Sequence, residues 1–302
     1  MKWKWLPPLG LMLLGCYEQP IKNPSLPCEP APKLHYLRGQ LRFKKFPLIG
    51  AGQGLEVIGE NLFVFGDAGR GVVQELDQRL QPTGWAGSLT RRGVDLITHP
   101  VGIANRPGLP TFIGSGAGSI FHVDWQAFRR DGNLDGAILR RIEDSETPDQ
   151  FKGTRPEYVE LNGRWLVATS DYADATPAKQ AEVRLMDPLK LVRVNSTDQP
   201  DVIVHRFPVS PYVQSLYWLE SKKLLVLVQN ITNKAIGWKL TFLDLEAAVE
   251  QGSGQGDAVI TTVCFPYESE LEGYAVSNDG RELLITPGEL YFGSTGALTS
   301  LP

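Results

Sequence analysis

Five segments of the chain share one pattern, and that pattern leaves few folds open. Each has a polar residue, a small or aromatic one, an apolar stretch, a turn, and a strongly apolar strand with a polar end. They start at Gln53, Val101, Glu157, Gln214 and Glu272, 48 to 58 residues apart. Each reads as a β-hairpin, with its turn at Gly59-Glu60-Asn61, Arg106-Pro107-Gly108, Asn162-Gly163, Glu220-Ser221-Lys222 or Asn278-Asp279-Gly280. Asn-Gly and Asp-Gly are strong hairpin signals because both tolerate positive φ. A second motif follows four of the hairpins: an apolar strand ending in Asp, at Asp77, Asp124, Asp187 and Asp244. Each Asp is read as a cap on the next turn, a structural role. Another strand then follows, as in 201–209 and 258–266. No long helical periodicity competes with this reading.

Four strands per repeat of this length predict an all-β chain folded as a five-bladed β-propeller. The fifth unit stops after two strands, near Phe292. Strands at 33–37 and 40–47, joined by a turn at Arg38-Gly39, are available to complete it. Pairing them into the last blade closes the ring and removes open edges. An open β-sandwich does not explain the regular spacing. As architecture, residues 33–292 resemble propellers of the NHL, quinoprotein and gluconolactonase-like kinds.

The chain start carries a different signal. In residues 1–16, MKWKWLPPLGLMLLGC, two lysines precede an apolar run too short to span a bilayer. Leu13-Leu14-Gly15-Cys16 resembles a bacterial lipobox. That resemblance implies a signal peptide over 1–15, cleavage before Cys16, and fatty acylation (palmitate or a similar chain) of the Cys16 thiol. Two or three acyl chains anchor far more firmly than one. Tyr17, in place of Asp, implies sorting to the outer membrane. The expected address is therefore the bacterial cell envelope, lipid-anchored, facing the periplasm or the surface. Residues 16–32 hold five prolines and read as an extended tether. The propeller is expected over 33–293 and a fraying tail over 294–302. An oxidising compartment makes a Cys28–Cys264 disulfide plausible, and the expected layout sets both near one mouth of the channel.

A formal net charge of −4 argues against nucleic acid as a partner. In a propeller the first strand of each blade lines the channel, so aligned columns become rings. Gln53, Glu157, Gln214 and Glu272 are expected to converge on one axis, with His99 and Arg155 just upstream. Asp67, Asp171 and Asn230, at second-strand ends, are expected on the same face. Such a mouth suits an envelope protein or carbohydrate partner, a cation, or simply water. The opposite face reads as ordinary turn chemistry. Asp131-Gly132-Asn133-Leu134-Asp135-Gly136 matches the start of a calcium loop, giving Asp131, Asn133 and Asp135 as candidate Ca2+ ligands. Position 12 of that loop is Ile142, so the match is incomplete, and a plain Asp-Gly turn fits as well. The leading functional expectation is a lipid-anchored binding or interaction platform. The alternatives are a carbohydrate-active hydrolase or lyase with its site at the carboxylate mouth, and a calcium-stabilised structural lipoprotein.

Overall fold

The computed structural model describes residues 40–42, 48–144, 154–172, 181–230, 237–265, 269–294, 298 and 301. A short strand, β1 (Gln40–Arg42), is followed by five antiparallel meanders. Blade one holds β2 (Ala51–Ile58), β3 (Asn61–Asp67), β4 (Gly71–Leu76) and β5 (Pro82–Ser88). A small hairpin, β6 (Thr90–Arg91) with β7 (Val94–Asp95), leads to blade two. Blade two comprises β8 (Pro100–Ala104), β9 (Thr111–Ser115), β10 (Ser119–Val123), helix α1 (Trp125–Asp131) and β11 (Ile138–Glu143). Blade three runs through β12 (Glu157–Leu161), β13 (Arg164–Ser170), β14 (Ala181–Met186), α2 (Pro188–Leu191) and β15 (Ile203–Val209). Blade four has β16 (Val213–Leu219), β17 (Leu224–Asn230), β18 (Trp238–Asp244), α3 (Leu245–Gln251) and β19 (Val259–Phe265). Blade five is β20 (Gly273–Val276), β21 (Glu282–Ile285) and β22 (Glu289–Gly293), with β1 at its outer edge.

The first strand of each blade packs on the first strand of the next, and β20 returns to β2. The chain is a five-bladed β-propeller. Its apolar side chains form five separate cores, one in each gap between neighbouring blades. Leu166, Leu225 and Leu227 fill the gap between blades three and four, and Leu55, Ala275 and Leu283 fill the gap between blades five and one. A sheet covered on both faces needs apolar residues at every position, not at alternate ones. This is why β17, LLVLVQN, is buried along its whole length.

Closure differs from the expectation in one respect. The third strand of blade five is not N-terminal: β22 takes that place, with Leu290 opposite Ile285 on β21. Thr286 makes the reversal local, its N–H donating to Glu289 O at 2.9 Å and its Oγ1 accepting from Glu289 N at 3.0 Å. The N-terminal segment adds only the fourth strand, with Leu41 opposite Leu290. Residues 1–39 lie outside the described residues, including the 33–37 strand, Cys16 and Cys28. Among the described residues no helix is long and apolar enough to cross a membrane.

The Asp at the end of each third strand has a local task. Asp124, Asp187 and Asp244 are the N-caps of α1, α2 and α3, accepting from Ala127 N, Leu189 N and Ala247 N at 2.9–3.0 Å. Asp77 folds the β4–β5 turn by accepting from Arg79 N and Gln81 N, both at 2.8 Å. An uncapped helix start leaves buried N–H groups unmatched, at about 1 kcal/mol per cap. Asn162-Gly163 makes a two-residue hairpin turn with both φ positive, at 51° and 74°, the geometry for which that dipeptide is favoured.

Candidate functional site

The channel has two ends with different contents. The inner strands start at one end and finish in the hairpin turns at the other. At the starting end, Arg155 is almost fully buried. Its Nε donates to Gln214 O at 2.6 Å and its Nη2 to Gln214 Oε1 at 3.1 Å. Burial pulls the Arg155 guanidinium down to about 10, opposed by the charges of Glu272 and Asp171 and by Tyr172, so it stays charged at neutral pH. Glu272 is buried and pushed up to about 8, by burial first and then by the neighbouring Glu270 carboxyl, with Arg155 pulling it back. Tyr172 and Tyr212 meet edge to face, with ring centroids 5.6 Å apart.

Gln53 is buried at a bulge in β2, and Gln214 occupies the same kind of bulge in β16. Asp171 Oδ1 accepts from Glu182 N at 2.8 Å. Asn230 Oδ1 accepts from Leu271 N at 2.6 Å, and its buried Nδ2 has no partner. Asp67 and His99 stand apart from Arg155 as a half-exposed pair, Oδ2 to Nδ1 3.7 Å. The structure thus brings Arg155, Gln214, Glu272 and Asp171 together, and it holds most of their polar atoms on protein partners.

Glu157 goes the other way. A column drawn by eye puts it level with Gln53, but counting back from the hairpins does not. Leu161 opposite Arg164 corresponds to Ile58 opposite Asn61, which sets Glu157 level with Gly54. The strands β2, β8 and β16 each carry one extra residue, at Gln53, Val101 and Gln214, whereas β12 pairs without a shift. One residue of offset turns a side chain to the other face of a strand. After each bulge the next residue is small: Gly54, Gly102 or Ser215. Gly273 of blade five sits against Gly54, where an added Cβ would lie 3.2 Å from Gly54 Cα. Glu157 is the one long side chain at this level of the ring.

It meets Glu56 of blade one in the same cavity wall, each carboxyl within the other's electrostatic reach. Glu157 also accepts from the N–H groups of Tyr158 and Trp218, and Glu56 from that of Val57. Burial pushes both carboxyls up, and the charge of Glu56 raises Glu157 further. Two like charges this close cannot both form readily, so the pair keeps its protons at neutral pH. It lies in a cavity of about 300 Å³ that opens among the hairpin turns. Tyr158, Tyr217, Trp218, Asn105, Arg106, Glu220 and Asn278 complete the wall. Arg106 is held by Glu220 through two hydrogen bonds, at 3.0 and 2.9 Å, and lies over the Trp165 ring at 3.3 Å.

Reading the columns missed Glu56. The available signal was a lone charge in an apolar inner strand, Gly54-Leu55-Glu56-Val57-Ile58. The turn face, expected to be plain solvated turns, holds this cavity.

The calcium-loop residues are turned onto protein groups. Arg130 grips both carboxylate oxygens of Asp131, at 2.8 and 2.9 Å. Asn133 Oδ1 accepts from Asp135 N at 2.9 Å, and Asp135 accepts from Arg92 N. Among the described residues no three of His, Cys, Asp and Glu are grouped to hold a metal. Cys264 is buried at the end of β19, and its expected partner Cys28 lies outside the described residues.

No family model matches the chain, and no curated protein sequence does. Among solved structures, glutaminyl cyclase from Myxococcus xanthus is similar at TM-score 0.49 and 16% identity, over 80% of this chain and 90% of that one. A chain of a mitotic checkpoint complex is similar at TM-score 0.43 and 13% identity, over 79% and 60%. Kuenenia stuttgartiensis hydrazine synthase is similar at 0.43 and 16%, over 78% of this chain and 56% of that one. At these identities the likeness concerns the fold, and the blade count itself rests on the five sheets.

Proposed function

We propose that the protein is a binding module whose ligand enters the central channel from the hairpin-turn face. One observation carries the reading: a buried, proton-holding carboxyl pair set in the wall of a cavity of about 300 Å³. Small-ligand sites are concave with converging polar groups, and this cavity brings Glu56, Glu157, Asn105 and Asn278 to one wall. Glycosidases need one carboxyl ionised beside one protonated, and this pair keeps its protons, so it supports binding over sugar hydrolysis. The test is a ligand-observed NMR screen of the propeller domain, repeated on Ser221→Trp, which sets a bulky ring at the exposed rim of the cavity. Hits lost on plugging support the reading; hits that all survive it overturn the site.

The proposal extends to the address. The lipobox resemblance at Cys16 supports an acyl anchor in the bacterial envelope. Fatty-acid labelling that survives Cys16→Ser would remove it. A Cys28–Cys264 disulfide would tie the tether to blade four, and a non-reducing mass map finding two free thiols would exclude it.

A further inference from the structure

We propose that the turn-face cavity binds a neutral sugar of single-ring size. This rests on the binding reading above and deepens it by naming the ligand class.

The first argument is an unmatched donor. Trp218 is 5% exposed, and its indole Nε1 has no hydrogen-bond partner. A buried donor left unmatched is uncommon, and here it belongs to a residue that lines the cavity. An indole N–H only donates, so an acceptor oxygen is what completes it.

The second argument is the rest of the wall. Its cation and its phenols are already engaged. Arg106 is held by Glu220 through two hydrogen bonds. Tyr217 donates to Val276 O at 3.4 Å and Tyr158 to Pro110 O at 2.6 Å. Asn105 donates from Nδ2 to Thr111 Oγ1 at 2.7 Å and Asn278 to Gly59 O at 2.9 Å, which leaves both Oδ1 atoms to accept. The guest must therefore supply acceptors and donors together, and a hydroxyl is both. The Glu56 and Glu157 carboxyls keep their protons, so they too donate and accept and bring no charge for an ion to match.

The third argument is shape. About 300 Å³ holds one ring and excludes a folded polymer segment. Polar residues of all five blades line it: Glu56, Asn105, Glu157, Glu220 and Asn278. A sugar carries hydroxyls around its whole rim, unlike a flat apolar ring with one polar end. Tyr158, Tyr217 and Trp218 offer aromatic surface for its C–H face.

The test titrates the methyl glycosides of glucose, galactose and mannose into the propeller domain at pH 7, followed by NMR. Cyclohexanol is the one-hydroxyl control, and glucosamine and glucuronate are the charged ones. At least one glycoside is expected to bind about tenfold tighter than any control. It should shift the Trp218 indole N–H resonance, identified by its loss in Trp218→Phe. That variant, which keeps an aromatic ring and removes the donor, should weaken the glycoside about three- to tenfold. Trp218 also borders a second turn-face cavity of about 340 Å³. Ser221→Trp, at the rim of the channel cavity alone, decides between the two and should abolish glycoside binding. An indole resonance unmoved on binding, binding that survives Ser221→Trp, or a control that binds as tightly overturns the sugar assignment. Failure of every probe overturns it as well, and if no hit of the screen above is lost on Ser221→Trp the binding reading falls with it.

Discussion

At the starting end of the channel, the Arg155 cation sits among Glu272, Asp171 and Gln214, donating to Gln214, while the Glu182 N–H donates to Asp171. At the turn end, Glu56 and Glu157 face each other as a proton-holding pair, beside about 300 Å³ of open space. Both ends are lined by acids, amides and aromatics, and composition does not tell them apart. The difference is whether the acids face a cation and whether the space is filled. A filled cluster leaves no room for a ligand, whereas polar groups beside a void do.

The largest expected effect comes from breaking the matched end. Arg155→Met removes the buried guanidinium with its two hydrogen bonds to Gln214 and should destabilise the domain by about 3–5 kcal/mol in urea unfolding at pH 7. A loss below about 1 kcal/mol would mean that Arg155 does not hold that end together, and the contrast would fail.

Next in size is relief of the unmatched end. The folded-state pKa of Glu56, about 8, lies above its ordinary value of 4.5, and Glu157 is raised as well. From the lower value to the upper, the unfolded chain has shed protons that the folded chain keeps, so stability falls as pH rises across that window. Glu157→Gln, which mimics the protonated acid, should raise stability at pH 8 by about 1–3 kcal/mol and flatten the pH slope. Thermal melts from pH 5 to 8 check this. A variant less stable than the parent at pH 8 would show that Glu157 is stabilised as an anion, contrary to a proton-holding pair.

Smaller still is the rim of the cavity. The Arg106–Glu220 pair is partly exposed and should contribute less than about 1 kcal/mol. Arg106→Gln should barely move the melting temperature, and a loss well above about 1 kcal/mol would show that Arg106 holds the turn face together. The smallest effect is expected at a third acid cluster, the Asp131–Asp135 loop. Its carboxylates are already gripped by Arg130 and by Arg92 N. Millimolar Ca2+ should shift the melting temperature by less than about 1 °C, and a larger shift would revive the loop as a metal site.

The turns and caps were legible because their chemistry is local. Asn162-Gly163 and the Asp at the end of each third strand act on backbone within four residues of themselves. The blade count followed from their spacing. The bulges at Gln53, Val101 and Gln214 were not legible, since an extra residue is defined by the partner strand and leaves no mark on its own. That one-residue ambiguity moved Glu157 from the apparent ring to the opposite cavity. Glu56 was hidden because its significance depends on a residue about a hundred positions away. β22 was missed as a strand of its own, since the fifth unit reads as two strands ending near Phe292, whereas the chain reverses at Pro287-Gly288 and pairs Glu289–Gly293 back on β21.

The five cores between blades also set an order in time. No blade covers its own apolar faces, and each is covered only when a neighbour arrives. Blade one is made first, but the residues that cover its second face, Ala275 and Leu283, come more than two hundred positions later. At roughly 5–20 residues per second, blade one waits on the order of 10–40 s with one face bare. The youngest protein is therefore the stickiest, and the last strands emerge already facing the surface they must cover. A stop codon before blade five would leave two bare faces for good, so the truncated chain is expected to aggregate or be degraded and not to persist as a four-bladed form.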